Sequence, residues 1–553
     1  MVTRRDFLGV AAASGACALY SPFDAKAQNP SIYGGLWWPP GRALPSFPAP
    51  LHLDSTNILQ LPTDQQLLLS TLQGVVNRRR PRIYLLLNSD ETDQIWLDTI
   101  KVPYTDIADP LSLITQYHGE VAGAIVYDPN VPDSANVATS LAGIMNGVVA
   151  TADLAAEYDL RVLKDLRGQF SSNIDAYNWL LANYWPQLSH RVLTAIGPTT
   201  PDLRDFIVAT QALVFWLDPE VPDEAALFAQ ILQNVAPDTP YLGWFVDGHE
   251  PSGVTLCSQN GVVVVAADYL DNATVLGGVR AAIRRIQPYA VAPSLQNKIY
   301  VTLTMSDGDN LQYDEHLIRL TWDDPNRGLV PLNWSMSPLL VDAAPPLLNY
   351  YQTTQTPNDY LVAGPSGAGY TYPNAWPAAA FPEFSRRTEE YMERSGMDVI
   401  NVLSFLVDGT PVALSDAVVT DYAQSARLRG ILLGNWTEPG QPGFTGTSTV
   451  TVQAGLPIIT QVGIAAVKQG EAVLAAAARS WDGSSPRFVA LGLLVGNITP
   501  TDVSSTASLL GAQYEIVRAD VFFELIRQAL GLSRVFRQIR ATVTDQDRRS
   551  EAP

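Results

Sequence analysis

Short apolar runs alternate with longer stretches of helical periodicity through the first half of the chain. Strand-like runs lie at residues 82–87, 122–127, 192–196, 212–217, 241–246 and 262–266, and helical patterns lie between several of them, as at residues 63–77 and 134–146. Strands that alternate with helices are typical of a parallel, doubly wound sheet. We therefore predict an N-terminal α/β domain over residues 51–290, in which a break near residues 175–190 would allow two subdomains.

The second half repeats this alternation more regularly. A helical pattern at residues 279–286, followed by Pro288 and Pro293, marks the boundary between the halves. Strand-like runs then recur at residues 299–305, 329–334, 360–363, 398–405, 430–435, 456–462, 487–495 and 514–517. Seven or eight such units in about 250 residues match the size of a (β/α) barrel. The pattern predicts a C-terminal (β/α)7–8 barrel-like domain over residues 291–545.

The N-terminus is typical of an export signal. The adjacent residues Arg4 and Arg5 precede a short apolar, alanine-rich stretch, and residues 25–27 form a small-x-small cleavage site. The stretch is too short to span a bilayer. We predict a twin-arginine signal peptide at residues 1–27, which directs the protein to the periplasm or the cell exterior. Residues 28–50, rich in proline and aromatic side chains, are expected to form an extended arm on the body of the protein.

Composition and charge narrow the possible partners. The chain of 553 residues is 47% apolar and 16% charged, which is typical of an ordered globular protein, and its formal net charge is −20. Such a surface repels phosphate backbones, so nucleic acid is not expected as a partner. Cys17 lies in the predicted signal, where lipidation stays open, and Cys257 then has no internal disulfide partner. No other run is apolar and long enough for a transmembrane helix, and the sequence leaves the oligomeric state open.

Polar side chains follow several of the predicted barrel strands, at the point where each strand ends. Asp307, Asp309 and Asn310 follow the first strand, and Asp408 and Glu438 follow two later ones. The carboxyl ends of parallel strands meet at one edge, where ligands bind. Hydrolysis of a glycosidic bond usually needs two carboxyl groups, about 5 Å apart for retention of configuration and about 6.5–9.5 Å apart for inversion. We predict that Asp307 or Asp309 acts as general acid or base, that Glu438 or Asp408 supplies the second carboxylate, and that Asn310 binds a sugar hydroxyl.

A purely structural role is the alternative for each of these acids. Asp, Asn and Gly favour turns, because their side chains or backbones satisfy tight-turn geometry and local hydrogen bonds. Residues 306–310, the Asp408-Gly409 pair and the Glu438-Pro439-Gly440 triplet all fit turns for that reason.

The most distinctive short motif is Gly-Ala-Gly-Tyr-Thr-Tyr-Pro at residues 367–373, which we call the signature segment. Gly367 and Gly369 allow the backbone to come close to a ligand or to adopt a positive φ. Tyr370 and Tyr372 would present their rings to the same side of a locally extended chain. An aromatic face with a hydroxyl group suits a sugar, so we predict that this segment binds substrate. A packed structural turn is the alternative.

Two tryptophans and a local acidic cluster complete the candidates. Trp334 and Trp436 lie at the ends of predicted barrel strands and are candidates for stacking on a sugar, although such tryptophans more often belong to a core. The segment 247–250, Asp-Gly-His-Glu, contains side chains that can bind metals, but a loop turn is the favoured interpretation. Because the histidines show no HxxxH or HExxH spacing, no metal and no cofactor are predicted.

The signature segment resembles the motif after which the GxGYxYP family is named, and every fixed position of that motif is matched. Residues 73–78 and 81–85 are similar to the family's N-terminal domain, and residues 306–312 are similar to its C-terminal domain. The resemblance therefore extends over most of the chain that follows the predicted signal. The family is described as one of glycoside hydrolases, so the resemblance implies activity on carbohydrate. The residue roles above come from position along the chain and not from the resemblance.

These patterns predict an exported carbohydrate-active protein, a glycoside hydrolase that cleaves poly- or oligosaccharide through paired carboxylates at the C-terminal edge of the barrel strands. A non-catalytic glycan-binding or cell-surface protein with the same cleft is the alternative. A deacetylase-like hydrolase on a related barrel is a third interpretation, against which the missing histidine pair counts.

Overall fold

The first part of the chain folds into three small parallel sheets, and the second part folds into a barrel. The structure, a computed structural model, describes residues 36–306, 310–425, 427–436 and 446–532. The predicted signal peptide at residues 1–27, and the predicted arm as far as residue 35, lie outside the described residues.

Each of the three N-terminal sheets is parallel and has its own helices. The first sheet has strand order β2-β1-β3, the second β5-β4-β6 and the third β10-β9-β7-β8. The sheet changes between β3 and β4 and again between β6 and β7. The elements are β1 Leu53–Asn57, α1 Thr63–Asn77, β2 Ile83–Leu86, α2 Thr92–Ile100, β3 Tyr104–Asp106, α3 Ser112–Gln116, β4 Ala124–Val126, α4 Ser134–Met145, β5 Val148–Ala150, α5 Ala152–Glu157, β6 Val162–Asp165, α6 Asn173–Tyr184, β7 Ser189–Ala195, α7 Arg204–Thr210, β8 Ala212–Phe215, α8 Pro222–Gln233, β9 Pro240–Gly243, α9 Glu250–Gln259, β10 Val263–Ala266 and α10 Ala273–Leu276.

Helix α1 lies at the centre of the N-terminal region and joins the three sheets. From its fifth residue, Leu67, onward the helix is buried, and Gly74 permits close contact with α7, because a Cβ there would lie 2.7 Å from the Cβ of Val208. We call the part of the chain that holds the first sheet (β1 to α3) the first domain, the part with the second sheet (β4 to α6) the second domain, and the part with the third sheet (β7 to α10) the third domain. Gln73 Nε2 donates to Asn272 Oδ1 at 2.7 Å and Asn77 Nδ2 to Thr274 Oγ1 at 2.9 Å, both in the third domain. Arg78, just after the helix, donates from Nη2 to the carbonyl of Gly143 in the second domain at 2.7 Å. A buried polar group needs such partners, so these contacts fix how the domains pack.

Seven parallel strands close the C-terminal barrel in the order β11-β12-β13-β14-β15-β17-β18, with β18 pairing β11. The short β19 pairs the first half of β11, and β16 pairs β17 in antiparallel fashion outside this ring. The elements are β11 Ile299–Ser306, α11 Gln312–Glu315, α12 Leu317–Trp322, β12 Leu332–Met336, α13 Leu340–Ala343, α14 Pro345–Thr354, β13 Asp359–Ala363, α15 Phe381–Ser395, β14 Ile400–Leu403, α16 Asp416–Ala423, β15 Ile431–Asn435, β16 Val450–Gln453, β17 Leu456–Ile464, α17 Val467–Arg479, β18 Arg487–Leu494, α18 Pro500–Ala507, β19 Tyr514–Ile516 and α19 Ala519–Leu530. The predicted α/β fold class, with an N-terminal parallel-sheet region and a C-terminal barrel, is confirmed.

The interior of the barrel changes character from one end to the other. Near the amino ends of the strands, Phe522 and Phe523 of α19 pack with inward-facing side chains such as Tyr300, Leu432 and Ile459, and so plug the barrel with apolar groups. Because inward positions recur at every second residue of a strand, the same strands present polar side chains nearer their carboxyl ends. These buried polar residues are Thr302, Thr304, Ser306, Asn333, Ser335, Asn401 and Gln461. The barrel is therefore closed by a helix at one end and polar at the other.

The prediction of a helix at residues 279–286 is wrong. The segment is irregular and lies on α14, where Arg284 N donates to Gln352 Oε1 at 2.7 Å and Gln352 Nε2 donates to the carbonyl of Arg284 at 3.0 Å. Its backbone groups bond to a glutamine from another part of the chain, so tertiary contacts replace the helical hydrogen bonds that local propensity favours.

The described part of the arm, from residue 36, connects the third domain with the barrel. Phe47 N donates to the carbonyl of Gly277 at 3.1 Å, and Ala43 N donates to the hydroxyl of Tyr391 on α15 at 2.9 Å. Leu36, Leu44 and Phe47 are buried in the main core. The arm therefore braces the interface between the two halves.

Candidate active site at the carboxyl ends of the barrel strands

Hydrogen bonds across the lumen link the ends of four barrel strands. Asn310 Nδ2, just beyond β11, donates to Ser335 Oγ of β12 at 3.2 Å and to the carbonyl of Gly364 beyond β13 at 2.6 Å. Asn401 Nδ2 of β14 donates to Ser306 Oγ of β11 at 3.0 Å. Asn310, predicted to bind a sugar hydroxyl, is thus buried at the mouth, where its amide nitrogen already holds protein oxygens. Its role as a sugar ligand stays a prediction.

Three of the four predicted catalytic acids lie outside the described residues. Asp307 and Asp309 fall between Ser306 and Asn310, and Glu438 follows Trp436. Asp307 and Asp309 follow β11, and Glu438 follows β15. In the shorter direction around the closed ring, two strands, β17 and β18, separate β11 from β15. Both segments start at the polar end of the barrel, and their catalytic roles stay predictions.

The fourth predicted acid, Asp408, lies in an exposed turn beyond β14. Its Oδ1 accepts a hydrogen bond from Thr410 N at 3.0 Å, and Gly409 adopts a φ of +77°. The backbone and side-chain hydrogen bonds from Thr410 hold the pKa of the Asp408 carboxyl below its ordinary value. The group is therefore ionised near neutral pH, which suits a base or nucleophile and not a proton donor.

The indole of Trp436 lies across the mouth and rests on glycines of three strands. A Cβ on Gly463 would lie 2.5 Å from Trp436 Cε3, one on Gly492 would lie 3.1 Å from Cζ2, and one on Gly434 would lie 3.4 Å from Nε1. Three buried polar atoms around it have no hydrogen-bond partner in the described part of the chain, namely Trp436 Nε1, Asn401 Oδ1 and Gln461 Oε1. Such atoms usually bind ordered water or a ligand, because leaving them unpaired costs about 1–3 kcal/mol each.

Trp334 is turned away from the mouth. Its side chain is fully buried between β12 and α12, with its ring centroid 4.8 Å from that of Trp322, and its Nε1 donates to Asp359 Oδ1 at 2.9 Å. Asn333 and Ser335, on either side of it, face the lumen, so strand alternation places Trp334 on the outer face. In this position the indole contributes to the core.

The signature segment follows β13 and fastens the barrel to the third N-terminal domain. Tyr370 and Val264 of β10 exchange backbone hydrogen bonds of 2.7 and 3.0 Å, and Ser258 Oγ of α9 accepts one from Tyr372 N at 2.9 Å. Gly369 has a φ of +128°, and a Cβ there would lie 2.1 Å from Val263 Cγ1. Gly367 likewise lies against the side chain of Thr388 on α15. The glycines thus serve close packing between protein segments.

The rings of Tyr370 and Tyr372 are buried at this junction, with exposures of 2% and 1%. Tyr370 stacks on Trp244, with ring centroids 6.2 Å apart, and Tyr372 contacts Phe405 at 5.6 Å. Both rings are covered by protein, so a direct sugar contact would require the junction to open. Their predicted role as sugar ligands stays a prediction.

Glu250 is a further titratable residue at this junction. It begins α9, and one of its carboxylate oxygens accepts a hydrogen bond from the hydroxyl of Tyr370. Burial raises the pKa of the Glu250 carboxyl, and the hydrogen bond from Tyr370 opposes that rise. The sequence shows Glu250 only as part of an acidic turn at 247–250, and nothing in it indicates that a signature tyrosine 120 positions away contacts this carboxylate.

A second group of ionisable side chains lies where the first and third domains meet the barrel. His316, beyond α11, has Nδ1 3.4 Å from Asp90 Oδ2 and Nε2 3.4 Å from Glu315 Oε2 and 3.9 Å from Asp271 Oδ2. Burial disfavours its charge, but the carboxylates of Glu315, Asp90 and Asp93 outweigh burial and raise the pKa of His316 well above its usual range. The charged form of His316 is therefore favoured at the place where the first and third domains meet the barrel.

Burial also raises the pKa values of several acids in this region. It raises the pKa of Asp93 to about 7, with a further contribution from Glu315, and the pKa of Asp314 to about 8. Within the described ranges, no three His, Cys, Asp or Glu side chains are arranged to hold a metal ion. Those ranges also contain no helix with the length and apolar character needed to cross a membrane.

Comparison with solved structures shows a protein of the same fold. A chain described as a "putative hydrolase" from Bacteroides thetaiotaomicron VPI-5482 superposes with a TM-score of 0.76 and 23% sequence identity, over 88% of this chain and 96% of that one. No curated protein matches the chain.

Comparison with protein families matches four consecutive segments to one family. The "GxGYxYP_N 1st domain" matches residues 52–119, the "GxGYxYP_N second domain" residues 121–188, and the "GxGYxYP third domain" residues 190–278. The "GxGYxYP putative glycoside hydrolase C-terminal domain" matches residues 297–527. These segments coincide with the three sheets and the barrel, and the chain belongs to the GxGYxYP family.

Proposed function

We propose that the protein is an exported glycoside hydrolase that cleaves a poly- or oligosaccharide at the polar mouth of its barrel. The observation that carries the proposal is the set of unpartnered polar atoms around Trp436. Asn401 Oδ1 and Gln461 Oε1 are acceptors and Trp436 Nε1–H is a donor, and all three are buried at the end of the lumen where the acidic segments begin. Sugar hydroxyls both donate and accept, so they match a mixed set of this kind.

The family and the structural relative support the hydrolytic part of the proposal. The family domain that matches the barrel is described as a "GxGYxYP putative glycoside hydrolase C-terminal domain", and the Bacteroides protein is described as a "putative hydrolase". The barrel architecture agrees, since βα loops at the carboxyl ends of parallel strands carry the active sites of such folds.

In the proposed reaction, a protonated carboxylic acid gives its proton to the glycosidic oxygen while a carboxylate activates water or attacks the anomeric carbon. Asp307 and Asp309 follow β11 and are close enough in sequence for the charge of one to raise the pKa of the other. Glu438, beyond Trp436, or Asp408 supplies the second carboxylate. The lowered pKa of Asp408 fits it for the ionised role.

The test is a search for turnover. The protein is incubated with a panel of poly- and oligosaccharides, and new reducing ends are followed together with binding by calorimetry. We expect release of reducing ends from at least one glycan. Binding without release from any glycan would contradict the hydrolase and favour a glycan-binding protein with the same cleft.

Export is part of the same proposal. The paired arginines and the small-x-small site predict that the mature chain begins at Gln28. N-terminal sequencing of the protein from the periplasm or the culture medium checks this expectation. A chain that keeps Arg4 and Arg5 and stays in the cytoplasm would contradict it.

A further inference from the structure

We propose that the first and third N-terminal domains position the segment that follows Asp309, residues 310–316, and that His316 is the positioning residue whose side chain joins this segment to both domains. We call residues 310–316 the anchor segment. The inference rests on the proposed function, in which Asp307 or Asp309 acts on the glycosidic bond. It gives the N-terminal region a part in catalysis without placing any of its side chains at the reacting bond.

The anchor segment begins at the mouth of the barrel. Asn310, its first residue, donates from Nδ2 to Ser335 Oγ at 3.2 Å and to the carbonyl of Gly364 at 2.6 Å. Asp309 is the residue directly before it in the chain. Consecutive Cα atoms are about 3.8 Å apart, so the position of Asn310 limits where that carboxylate can lie. A displacement of the anchor segment therefore displaces the predicted catalytic acid with it.

The later part of the anchor segment is bonded to both N-terminal domains. From the third domain, Tyr269 N donates to Gln312 Oε1 at 3.0 Å. Asp271 N of the same domain donates to Glu315 Oε2 at 2.9 Å. From the first domain, Trp96 Nε1 donates to the carbonyl of Glu315 at 2.6 Å. Gln312 and Glu315 are buried, so breaking these bonds would leave polar groups without water or protein partners.

His316 ends the anchor segment and contacts both domains with one ring. Its Nε2 lies 2.9 Å from the carbonyl oxygen of Tyr269 in the third domain. Its Nδ1 lies 3.4 Å from Asp90 Oδ2 in the first domain and is also hydrogen-bonded to the hydroxyl of Thr92. Burial lowers the pKa of His316, but the carboxylates of Glu315 and Asp90 outweigh burial and raise it well above its usual range. Both ring nitrogens therefore carry protons near neutral pH, and each donates to a different domain.

The backbone next to Asn310 is strained. Leu311 has a φ of +96°, which a residue with a Cβ seldom adopts, and its side chain is buried in the main core. Strain of this kind persists only where the surrounding contacts hold it, and it is common at functional sites. The bonds at the mouth on one side and to the two domains on the other supply such contacts.

The first test is the rate of His316→Gln on the glycan found in the panel. The amide is uncharged and cannot reproduce the two opposed donors of the imidazolium ring. We expect kcat to fall about 10- to 100-fold and KM to stay within about 3-fold of wild type, because a displacement of about 1 Å at the reacting groups is enough for such a loss. Gln312→Met keeps the length of that side chain but removes its hydrogen bonds, and it should lower kcat in the same way.

Arg387→Met is the matched control. Arg387 on α15 also joins the barrel to the third domain, since its Nη1 donates to the carbonyl of Asp238 at 2.6 Å, but this bond does not involve the anchor segment. We expect the control to lower the thermal midpoint and to keep kcat. If Arg387→Met lowers kcat as much as His316→Gln does, at the same loss of thermal midpoint, the effect belongs to domain docking in general and the inference is overturned.

A double-mutant cycle separates positioning from a general loss of structure. It combines His316→Gln with whichever of Asp307→Asn and Asp309→Asn lowers the rate. If His316 acts through that acid, the second substitution lowers kcat/KM by less than about 2-fold, because the group that it positions is already disabled. If the two losses multiply, His316 does not act through the acid and the inference is overturned. If neither Asp variant lowers the rate, the inference is overturned while the hydrolase stands.

Hydrogen exchange tests the anchoring without a substrate. In His316→Gln we expect the backbone amides of the anchor segment to exchange at least about 10-fold faster than in wild type, while those of β1 and β10 keep their rates. Unchanged exchange in the anchor segment overturns the inference and leaves the hydrolase standing. If the wild type hydrolyses nothing on the panel, the proposed function fails and the positioning role fails with it.

Discussion

Trp334 and Trp436 both lie near the carboxyl ends of barrel strands, but the hydrogen bonding of their indole groups differs. The indole N–H of Trp334 donates to Asp359, whereas that of Trp436 has no partner in the described chain. Removing a donor from a buried acceptor costs the desolvation of that acceptor, but removing a donor that bonds nothing does not. The two residues therefore form a natural matched pair.

We expect Trp334→Phe to lower the free energy of unfolding by about 1–3 kcal/mol more than Trp436→Phe does. Trp334 is fully buried and Trp436 is only partly buried, so the larger loss for Trp334→Phe combines lost packing with the orphaned Asp359 Oδ1. Urea unfolding followed by circular dichroism measures both. Equal losses, or a larger loss for Trp436→Phe, would show that the surroundings of the two indoles are misassigned.

At this scale the sequence predicted where polar groups gather but not which way side chains point. The run Leu-Asn-Trp-Ser-Met of β12 alternates, yet alternation alone does not say which face is the lumen. Here the polar face turns inward, and the apolar face packs against the helices that cover the outside of the barrel. Trp334 therefore belongs to the core, although its position along the chain placed it among the candidates at the active edge.

The signature segment acts as one element that joins two domains. Its glycines were predicted to let the backbone approach a ligand, and in the structure the segment instead lies close to strand β10, about 100 positions earlier in the chain. Sequence periodicity cannot supply such a partner, because the motif is local and its contact is not. The same limit applies to Glu250, whose link to Tyr370 arises only when the third domain docks.

We expect Gly369→Ala to loosen the third domain from the barrel. A side chain there is strained at a φ of +128° and would lie 2.1 Å from Val263 Cγ1, so either the segment or β10 must move. Gly409→Ala is the control, since its φ is +77° but nothing lies within 4 Å of a Cβ. The control should cost about 1–2 kcal/mol from backbone strain alone. Limited proteolysis and thermal unfolding should show a larger loss for Gly369→Ala, and equal behaviour would contradict the docking role.

For the molecule as a whole, alternation of strands and helices was enough to predict the two halves, because that pattern has few packing solutions. The sequence did not show that three separate sheets share the N-terminal region. All three have strands of three to seven residues with similar apolar runs, and only tertiary contacts such as those of α1 separate them. The ionisable group around His316 was likewise absent from the prediction, because it is assembled from three domains.

We expect the protein to be more stable at pH 5.5 than at pH 8.5. The buried carboxyls of Asp93 and Asp314 have raised pKa values, about 7 and about 8, so their contribution is full below the unfolded value of about 4 and is lost as pH rises to about 8. The raised pKa of His316 acts in the same direction, since its charge stabilises the folded state until pH passes its folded pKa. Urea unfolding at the two pH values measures the difference.

Asp314→Asn is the control for that prediction. The amide can still accept the hydrogen bond that Asp314 Oδ2 accepts from Ser337 N at 3.0 Å, but it does not ionise. The variant should lose less stability than wild type between pH 5.5 and pH 8.5. If the variant loses as much stability between the two pH values as wild type does, the ionisation of Asp314 does not contribute to the pH dependence. If wild type is more stable at pH 8.5 than at pH 5.5, the predicted effect of the buried carboxyls and His316 is contradicted.

The measurement that tests the central claim most directly is hydrolysis of the best glycan by Asp307→Asn and Asp309→Asn beside wild type. Both residues belong to the segment that leaves β11 at the polar mouth. If the chemistry occurs there, release of reducing ends falls by at least about 10²-fold in one of the variants, while the thermal midpoint and glycan binding are kept. Release at the wild-type rate in both variants would contradict the placement of the active site at this edge of the barrel.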